Sequence, residues 1–487
     1  MDRPIRLAFL TPDFPTESRS GAGAFVHRFA EVLRQYGQTP EVFVSSDHPP
    51  GAIDFYGLRV ERVPSRHGVV ARQLRRLSGC GELVDNLVAA RELARAVERR
   101  HAEQPFDIIH ATDWRATGLF TRRIPKAVRV AYCCWSRELF RRSERRPWSF
   151  AEWALDRLEV LSVRRADRAY APSRYLAGHL ERSEGIDTAV VRTPHRLECV
   201  PVDPRIDLPE RYLLHFGHLR LRKGTDMVAA ALPLAWKEEP ELRMVWAGPL
   251  RGVSFDQARQ SWGAYAGNVI HLDELERAEL YGVLHRSVAA VLPSRSDNLP
   301  NTAIESLMLG VPVIGTFDSS IDELVEPGVC GDLVAIDDVS GLAAAMVRAW
   351  RGEVAFHRLP AVFTEMQAEN AVRRLLEICG FPPVRLERQA PLAPPRITIL
   401  HPPAARAGEG FNLQPDGMSA IAVQCENAGM FTALRFGDAM LRTTFGDAGL
   451  VSALIPPELV STPGQVGVSL VDAIRGSSDA VAFQVEA

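Results

Sequence analysis

Short runs of apolar and β-branched residues alternate with amphipathic stretches through the first half of the chain. The run at 5–10 is followed by apolar side chains at Phe25, Phe29 and Leu33, which recur at the spacing of a helical turn. This alternation predicts a parallel β-sheet with helices on both faces, in a Rossmann-like domain at residues 1–205. The predicted strands are 5–10, 41–45, 107–111, 129–133 and 169–171, and the longer helices lie at about 84–100 and 150–165.

A second series of short apolar runs, each followed by helix-compatible sequence, begins after residue 209. It predicts a second Rossmann-like, doubly wound domain at 206–385, whose last helix, at about 364–379, crosses back toward the first domain. Two such domains in tandem place a cleft between the carboxyl ends of their sheets, where open α/β sheets bind ligands. The predicted strands are 212–216, 243–247, 268–272, 289–292 and 311–315.

The pattern changes after a proline-rich stretch at 381–395. From residue 396 onward short alternating runs are separated by Gly, Pro and Asp, which predicts an all-β Ig-like sandwich domain at 396–487. Because proline-rich linkers hold domains apart, we expect an accessory domain that binds a protein or a glycan. The alternative is that it packs on the α/β pair and supports the cleft. The predicted strands are 397–400, 419–424, 433–436, 466–470 and 480–485.

Composition narrows the classes of function. The 487 residues are 46% hydrophobic, and no run approaches the roughly 18 apolar residues that a membrane helix needs, so we expect a cytoplasmic protein. The seven cysteines show no C-x-x-C spacing, which is typical of reduced thiols. The net charge of −3 is uneven, since residues 1–180 hold 30 Lys and Arg against 21 Asp and Glu. This favours an anionic partner on that side, and no nucleic acid is expected.

The most specific segment reads PSRSDNLPNTAIES and carries two carboxylates around a predicted helix start. Asp297 lies in the loop after a strand, and a helix that begins near Pro300 or Asn301 places Glu305 about one turn inside. A carboxylate accepts hydrogen bonds from vicinal sugar hydroxyls, and a helix N-terminus offers N–H groups to a diphosphate. A nucleotide sugar presents both groups. The alternative is that Asp297 and Asn298 form only a turn and a cap, with Glu305 on a solvated face.

The segment FGHLRLRKG at 216–224 supplies cations at the start of the second domain. A departing nucleoside diphosphate accumulates negative charge, which Lys223 and an arginine would neutralise without a metal ion. Arg220 and Arg222 are the available arginines, although arginines on surface loops are commonly just solvated. The sequence contains no D-x-D metal motif, so we expect neither a metal ion nor another cofactor.

Two segments of the first domain carry further candidates. In SGAGA, Gly21 and Gly23 would let backbone N–H groups approach a phosphate, the alternative being an ordinary strand-to-helix turn. In FDIIHATDW, His110 is either a core histidine or part of an acceptor site. The next strand is followed by Cys-Cys-Trp-Ser, in which no general base is identifiable.

Together these motifs resemble those of retaining family 4 glycosyltransferases of the GT-B type, over about 1–380 and best at 211–335. The spacing from Asp297 to Glu305 resembles the family's acidic-x7-Glu motif, with Asp where the family usually has Glu. The 216–224 segment resembles a G-R-L-x-x-x-K-G stretch, with His218 at the usual Arg. The C-terminal part resembles Ig-like domains of the TIG type.

The resemblance implies a hexosyltransferase that moves a sugar, with retention, from a nucleotide-sugar donor to a hydroxyl of a glycan or lipid-linked acceptor. It implies that Glu305 binds the ribose, and that Asp297 with the amides of Asn298 and Leu299 holds the donor sugar and the β-phosphate. The catalytic candidates are Lys223, Asp297, Arg222 and His110. The donor-binding candidates are Gly21, Gly23, Gly217, His218, Arg220, Asn298, Leu299, Pro300, Asn301, Thr302 and Glu305.

Besides Asp297, three positions depart from the family pattern, namely His218, Thr112 and Trp135. Thr112 and Trp135 stand where the resembling enzymes often carry histidine, and His218 stands where they carry arginine. The alternative function is therefore a non-catalytic protein that binds sugar nucleotides or glycans.

An arginine-rich segment, interleaved with Phe140 and Trp148, follows the strand at 129–133. In the resembling enzymes this region often meets anionic lipid, which implies peripheral contact with the inner face of a membrane. The alternative is a solvated loop. The arginines are Arg137, Arg141, Arg142, Arg145 and Arg146.

Overall fold

A computed structural model describes residues 3–17, 21–65, 68, 73, 81–199, 201–202, 206–382, 386–415 and 417–487. The chain divides into two compact units. The first comprises Met1–Leu197 and Asp203–Gln389, and the second comprises Glu198–Val202 and Ala390–Ala487. Within these described ranges, no helix combines the length and apolar composition that crossing a membrane requires.

The N-terminal half of the first unit is a parallel sheet flanked by helices. Its strands are β1 (Arg6–Thr11), β2 (Thr39–Ser46), β3 (Gly51–Phe55), β4 (Leu58–Pro64), β5 (Ile108–Thr112), β6 (Val128–Tyr132), β7 (Arg168–Ala171) and β8 (Ala189–Val190). Its helices are α1 (Gly21–Gln35), α2 (Gly81–Glu103), α3 (Arg137–Ser143), α4 (Phe150–Arg164) and α5 (Arg174–Glu184). The strand order is β3-β4-β2-β1-β5-β6-β7-β8, with β3 antiparallel to its neighbour. The order reverses between β1 and β5, as in doubly wound folds.

The C-terminal half of the first unit repeats this architecture. Its strands are β9 (Leu213–Phe216), β10 (Met244–Ala247), β11 (Val269–Leu272), β12 (Ala290–Val291), β13 (Val313–Thr316) and β14 (Gly331–Val334). Its helices are α6 (Thr225–Glu238), α7 (Phe255–Trp262), α8 (Arg277–His285), α9 (Asn301–Met308), α10 (Val339–Arg351), α11 (Val362–Glu365) and α12 (Ala368–Ile378). All neighbours in the order β11-β10-β9-β12-β13-β14 are parallel. The order reverses between β9 and β12.

Strand β10 shows why the strands of this sheet are continuously apolar. Successive side chains point to opposite faces, and Met244 and Trp246 pack into one hydrophobic cluster while Val245 and Ala247 pack into another. Helices α6 and α10 cover the first face, and α8 and α9 cover the second. Because both faces are buried, the sequence shows an apolar run and not an alternation. The predicted α/β architecture is confirmed.

The single helix predicted at about 364–379 is wrong in one respect, because the chain forms α11 and α12 with a break between them. Met366 is buried in the hydrophobic core of the C-terminal half, and Gln367 takes an extended backbone conformation. The break frees α12 to lie against the N-terminal half, where Arg374 Nε donates to the carbonyl of Val190 at 3.5 Å.

The second unit is all-β and contains two sheets around one hydrophobic cluster. Its strands are β15 (Arg396–His401), β16 (Ala404–Arg406), β17 (Ser419–Glu426), β18 (Thr432–Phe436), β19 (Ala439–Leu441), β20 (Thr443–Asp447), β21 (Leu450–Ile455), β22 (Gly464–Asp472), β23 (Gly476–Ser477) and β24 (Val481–Glu486). The orders are β15-β17-β21-β20 and β16-β24-β22-β18-β19, with β23 paired to β22. Ile421 and Val423 of one sheet share a cluster with Leu470 and Phe483 of the other. The Ig-like topology stays a prediction.

Candidate active site

The candidate residues of the C-terminal half meet where its strand order reverses. Loops after β9 and β12 lie side by side there, and the Arg295 amide donates to the carbonyl of Arg222 at 2.8 Å. Gly224 has a φ of 74°, and a β-carbon at this position would lie 2.0 Å from the carbonyl oxygen of Pro293. A glycine therefore lets the two loops approach each other.

An ionic cluster connects these loops. Lys223 Nζ donates to Asp297 Oδ2, and Arg222 Nη1 lies 3.3 Å from Asp297 Oδ1 and 3.0 Å from the carbonyl of Ser296. Burial acts to raise the pKa of Asp297, but Lys223 and Arg222 outweigh it and bring that pKa to about 2. Burial lowers the pKa of Lys223, and Asp297 opposes this effect. The cluster is therefore an ion pair that one further cation reinforces.

The loop that follows Asp297 is tightly bonded to its own domain. The amide of Asn298 donates to Asp297 Oδ1 at 3.1 Å, and the amide of Leu299 donates to Ser320 Oγ at 3.0 Å. Leu299 has a φ of 57°, in the left-handed region that favours glycine. A phosphate bound at these two amides would take the place of the Asp297 and Ser320 oxygens.

Helix α9 begins at Asn301, with Pro300 before it in an extended conformation. Glu305 lies one turn inside and is 1% exposed, so the alternative that it lies on a solvated face is wrong. Its two carboxylate oxygens lie 3.3 and 3.4 Å from Arg277 Nη1. Thr302 packs beside Gly217, where an added β-carbon would meet the Thr302 methyl at 3.3 Å.

Further cations surround the loop after β9. Desolvation, and then the nearby Arg220, Lys223 and Arg251, lower the pKa of His218. Burial lowers the pKa of Arg220, and its ion pair with Glu144 at 2.7 Å opposes this. Clustered cations that weaken one another's protonation form an environment that favours an anion.

The glycine-rich segment is placed differently from the prediction. Gly21 is the first residue of α1, so Gly21 and Gly23 lie in the first turn of a helix and not in a loop, while residue 20 lies outside the described residues. A β-carbon on Gly23 would lie 3.0 Å from the backbone nitrogen of Phe14, which explains the glycine by close packing. The position of the pair at a helix N-terminus remains compatible with a phosphate nearby.

His110 lies in the core of the N-terminal sheet, among aromatic side chains. It is fully buried, and Nε2 lies 2.6 Å from the hydroxyl of Tyr170. The ring centroids of Phe9 and Tyr132 lie 4.6 and 6.0 Å from that of His110. Burial lowers the pKa of His110 to about 3, so the imidazole is neutral. The surroundings of His110 are those of a core histidine.

Asn298 links the two halves across the cleft. Its Nδ2 donates to the carbonyl of Cys134 at 2.8 Å, and its Oδ1 accepts from Ser173 Oγ at 2.7 Å. Glu323 of the C-terminal half accepts the backbone N–H groups of Arg174 and Tyr175, at 2.9 and 2.7 Å. The carboxyl ends of β6 and β7 thus face the loop that carries Asp297.

Sequence reasoning did not single out Asp113, at the carboxyl end of β5. Its carboxylate accepts the amides of Trp114 at 2.6 Å and Cys134 at 3.0 Å, and burial raises its pKa to about 6. Because the carbonyl of Cys134 binds Asn298, Asp113 is one residue removed from the candidate site. Asp113 belongs to the FDIIHATDW segment at 106–114, but no local sequence pattern indicates its contact with Cys134.

Among the residues that the structure describes, no group of three or more His, Cys, Asp or Glu side chains is placed to hold a metal ion. The charges at the reversal point of the second sheet are instead those of Lys223, Arg222 and Asp297.

Two family models match the chain. Residues 20–195 match the glycosyl transferase 4-like domain, and residues 210–351 match glycosyl transferases group 1. The first match lies within the N-terminal α/β half and the second within the C-terminal half.

Curated relatives match over part of their length. The chain is 35% identical to glycogen synthase of Mycobacterium tuberculosis over 137 residues, which are 28% of this chain and 32% of that protein. It is 24% identical to the lipopolysaccharide core biosynthesis mannosyltransferase LpcC of Rhizobium leguminosarum over 210 residues, 42% of this chain and 58% of that one. The chain therefore spans about a third of the length of the glycogen synthase that it matches.

Solved structures share the fold of the first unit. Sucrose-phosphate synthase from Thermosynechococcus elongatus has a TM-score of 0.55 at 17% identity, covering 77% of this chain and 98% of that one. Anabaena HepE in complex with UDP-glucose has a TM-score of 0.54 at 16% identity, covering 77% and 99%. These likenesses show the GT-B fold.

Proposed function

We propose that this chain, a GT-B protein built from a glycosyl transferase 4-like domain and a glycosyl transferases group 1 domain, transfers a hexose from a nucleotide-sugar donor to a hydroxyl acceptor. The reaction retains the anomeric configuration and uses no metal ion. The observation that carries the proposal is the cluster of Lys223, Arg222 and Asp297 at the reversal point of the second sheet. A structure of HepE with bound UDP-glucose shares this fold.

The cluster suits the charge that develops during transfer. As the bond between the sugar C1 and the β-phosphate oxygen breaks, negative charge grows on the diphosphate, and Lys223 and Arg222 are placed to neutralise it. When a diphosphate takes over these cations, Asp297 becomes available to accept sugar hydroxyls. The acceptor oxygen bonds to C1 on the face that the diphosphate leaves, and the acceptor proton passes to a phosphate oxygen. Such a step needs no protein base, which agrees with the burial of His110.

Glu305 is the proposed ribose ligand. It is buried at one end of the candidate site and held by Arg277, which keeps its carboxylate oriented. A carboxylate that is already fixed loses little conformational entropy when it binds two vicinal hydroxyls. The helix that carries Glu305 begins at Asn301, so the distance between the proposed ribose contact and the proposed diphosphate contact is fixed.

For the acceptor we propose a glycan or lipid-linked saccharide, since two relatives are named as lipopolysaccharide core biosynthesis mannosyltransferases. Only part of the arginine-rich segment is exposed and available for contact with a membrane. Arg137 is buried beside Glu159 at 3.1 Å and Phe140 is partly buried, so neither faces a bilayer. Exposed aromatic side chains follow, in a segment that also exposes Arg142. These aromatics are Trp148, 62% exposed, Phe150, 68% exposed, and Trp153, 46% exposed.

Vesicle flotation tests the membrane contact. We expect the chain to float with phosphatidylglycerol vesicles at low salt, and Trp148→Ser with Phe150→Ser to weaken this binding. Phe317→Ser, at an exposed phenylalanine of the second half, is the matched control. Absent or salt-insensitive binding would remove the membrane proposal.

The central test is donor binding and turnover with purified protein. UDP-, GDP- and ADP-hexoses are screened by thermal shift, where a ligand at 100 times its Kd adds about 2.7 kcal/mol of stability. With the donor so identified, Lys223→Ala is expected to lower kcat more than it raises KM, because the cation acts as the diphosphate leaves. Lys237→Ala, an exposed lysine at the end of α6, is the control. Turnover is expected to persist in excess EDTA.

The outcomes separate the proposals. A strict requirement for Mn²⁺ or Mg²⁺ would overturn the metal-free mechanism. Donor binding without transfer to any acceptor would favour the non-catalytic alternative, and no binding of any sugar nucleotide would refute the donor site.

A further inference from the structure

Helix α3 belongs to the N-terminal half but ends against the cations of the C-terminal half. Ser136 caps its start by accepting the amide of Leu139 at 3.3 Å. At its other end, the side chain of Glu144 is 7% exposed and pairs with Arg220 at 2.7 Å. The end of α3, in the N-terminal half, thus supplies a nearly buried counter-charge to the loop after β9.

The turn that ends α3 has a strained backbone. Arg145 has a φ of 52°, in the left-handed region where glycine usually ends a helix, and the amide of Arg146 donates to the carbonyl of Arg141 at 2.9 Å. This conformation directs Arg145 to the C-terminal half, within 3.8 Å of Asp226 and 3.6 Å of Asp337. Strain of this kind persists where surrounding contacts enforce it.

Phe140, on the same helix, lies under three guanidinium groups. The central carbons of Arg146, Arg220 and Arg222 lie 5.0, 5.3 and 5.8 Å from its ring centroid. Trp135 packs on the same ring, with centroids 4.7 Å apart. The negative face of an aromatic ring attracts cations without adding a counter-charge, so the ring holds the arginines in place without neutralising them.

We propose that Phe140 is a positioning residue for the donor diphosphate. This inference rests on the donor site proposed above. Phe140 holds Arg220 and Arg222 in place from the opposite half. The diphosphate site is then complete only while α3 lies against the loop after β9. Phe140 does not itself contact the donor, and it acts through the two arginines.

The test measures nucleoside diphosphate binding by calorimetry, with UDP, GDP and ADP as probes, and donor turnover. We expect Phe140→Leu to weaken the best-bound diphosphate roughly fivefold and to lower kcat more than it raises KM. Phe140→Tyr keeps the ring face and is expected to restore both. Phe120→Leu, at an exposed phenylalanine of the same half, is the matched control and is expected to behave as wild type.

A double-mutant cycle shows whether Phe140 acts through the arginines. In a background of Arg220→Ala with Arg222→Ala, we expect Phe140→Leu to change diphosphate affinity less than twofold, since the groups that it positions are gone. An undiminished effect there, or wild-type binding by Phe140→Leu alone, would overturn the inference and leave the donor site standing. A wild-type protein that binds none of the three diphosphates would overturn both.

Discussion

Asp297→Asn separates the two roles proposed for the ionic cluster. The amide keeps the shape of the carboxylate but removes the charge that neutralises Lys223 and Arg222. Because a diphosphate can supply the missing negative charge, we expect the variant to bind nucleoside diphosphate more tightly than wild type. We also expect slower sugar transfer, since the proposed hydroxyl acceptor has lost its charge.

The magnitude follows from the pKa of Asp297, which lies at about 2 against an ordinary value of 3.8. One pKa unit corresponds to about 1.4 kcal/mol, so the ionised carboxylate contributes roughly 2 kcal/mol to folding at neutral pH. The folded-state pKa is depressed, so this contribution is present above pH 4 and is lost as the pH falls toward 2. The difference between wild type and Asp297→Asn should therefore be roughly halved near pH 3.

Scanning calorimetry measures this effect without ligand and with UDP, GDP or ADP. At pH 7 without ligand, we expect the melting transition of the first unit to fall by roughly 2–3 °C in Asp297→Asn. Added diphosphate should raise that transition more in the variant than in wild type. Asp256→Asn, an exposed position in the first turn of α7, controls for the loss of one charge.

Two results would refute the reasoning. An unchanged melting transition would mean that the two cations do not stabilise the Asp297 carboxylate. Weaker diphosphate binding by Asp297→Asn would mean that Asp297 helps to hold the phosphate and does not compete with it for Lys223.

Three other changes test the site and its boundaries. Glu305→Gln should weaken donor binding at a cost of roughly 1.5–3 kcal/mol, measured as KM and Kd, and unchanged constants would contradict the ribose role. Gly224→Ala should destabilise the fold by at least about 2 kcal/mol in thermal melts, because its β-carbon would collide with the carbonyl of Pro293; a wild-type melt would contradict this. Truncation after Gln389 should leave a folded protein with normal turnover on a small acceptor, if the second unit is accessory, whereas loss of folding or turnover would make that unit structural.

The elements that the sequence predicts best are those with both faces buried. The strand predicted at 243–247 is apolar from Met244 onward and forms β10 at Met244–Ala247. The edge strand β3 and its neighbour β4 were missed, because Gly51–Phe55 is mostly exposed and its pairing with Leu58–Pro64 comes from a tight turn and not from an apolar run. Strand β20 was missed for the same reason, since most of its residues are exposed.

The sequence alone determines the doubly wound pattern of the first unit and the local placement of Asp297 and Glu305 around a helix start. Both follow from short-range rules, the periodicity of apolar residues and the way a proline precedes a helix. Only the tertiary structure decides that Lys223 meets Asp297, that Phe140 lies under arginines of the other half, and that His110 is buried. These contacts join residues far apart in the chain, and they depend on strand order and on the packing of one half against the other. Local propensities carry no information about that packing.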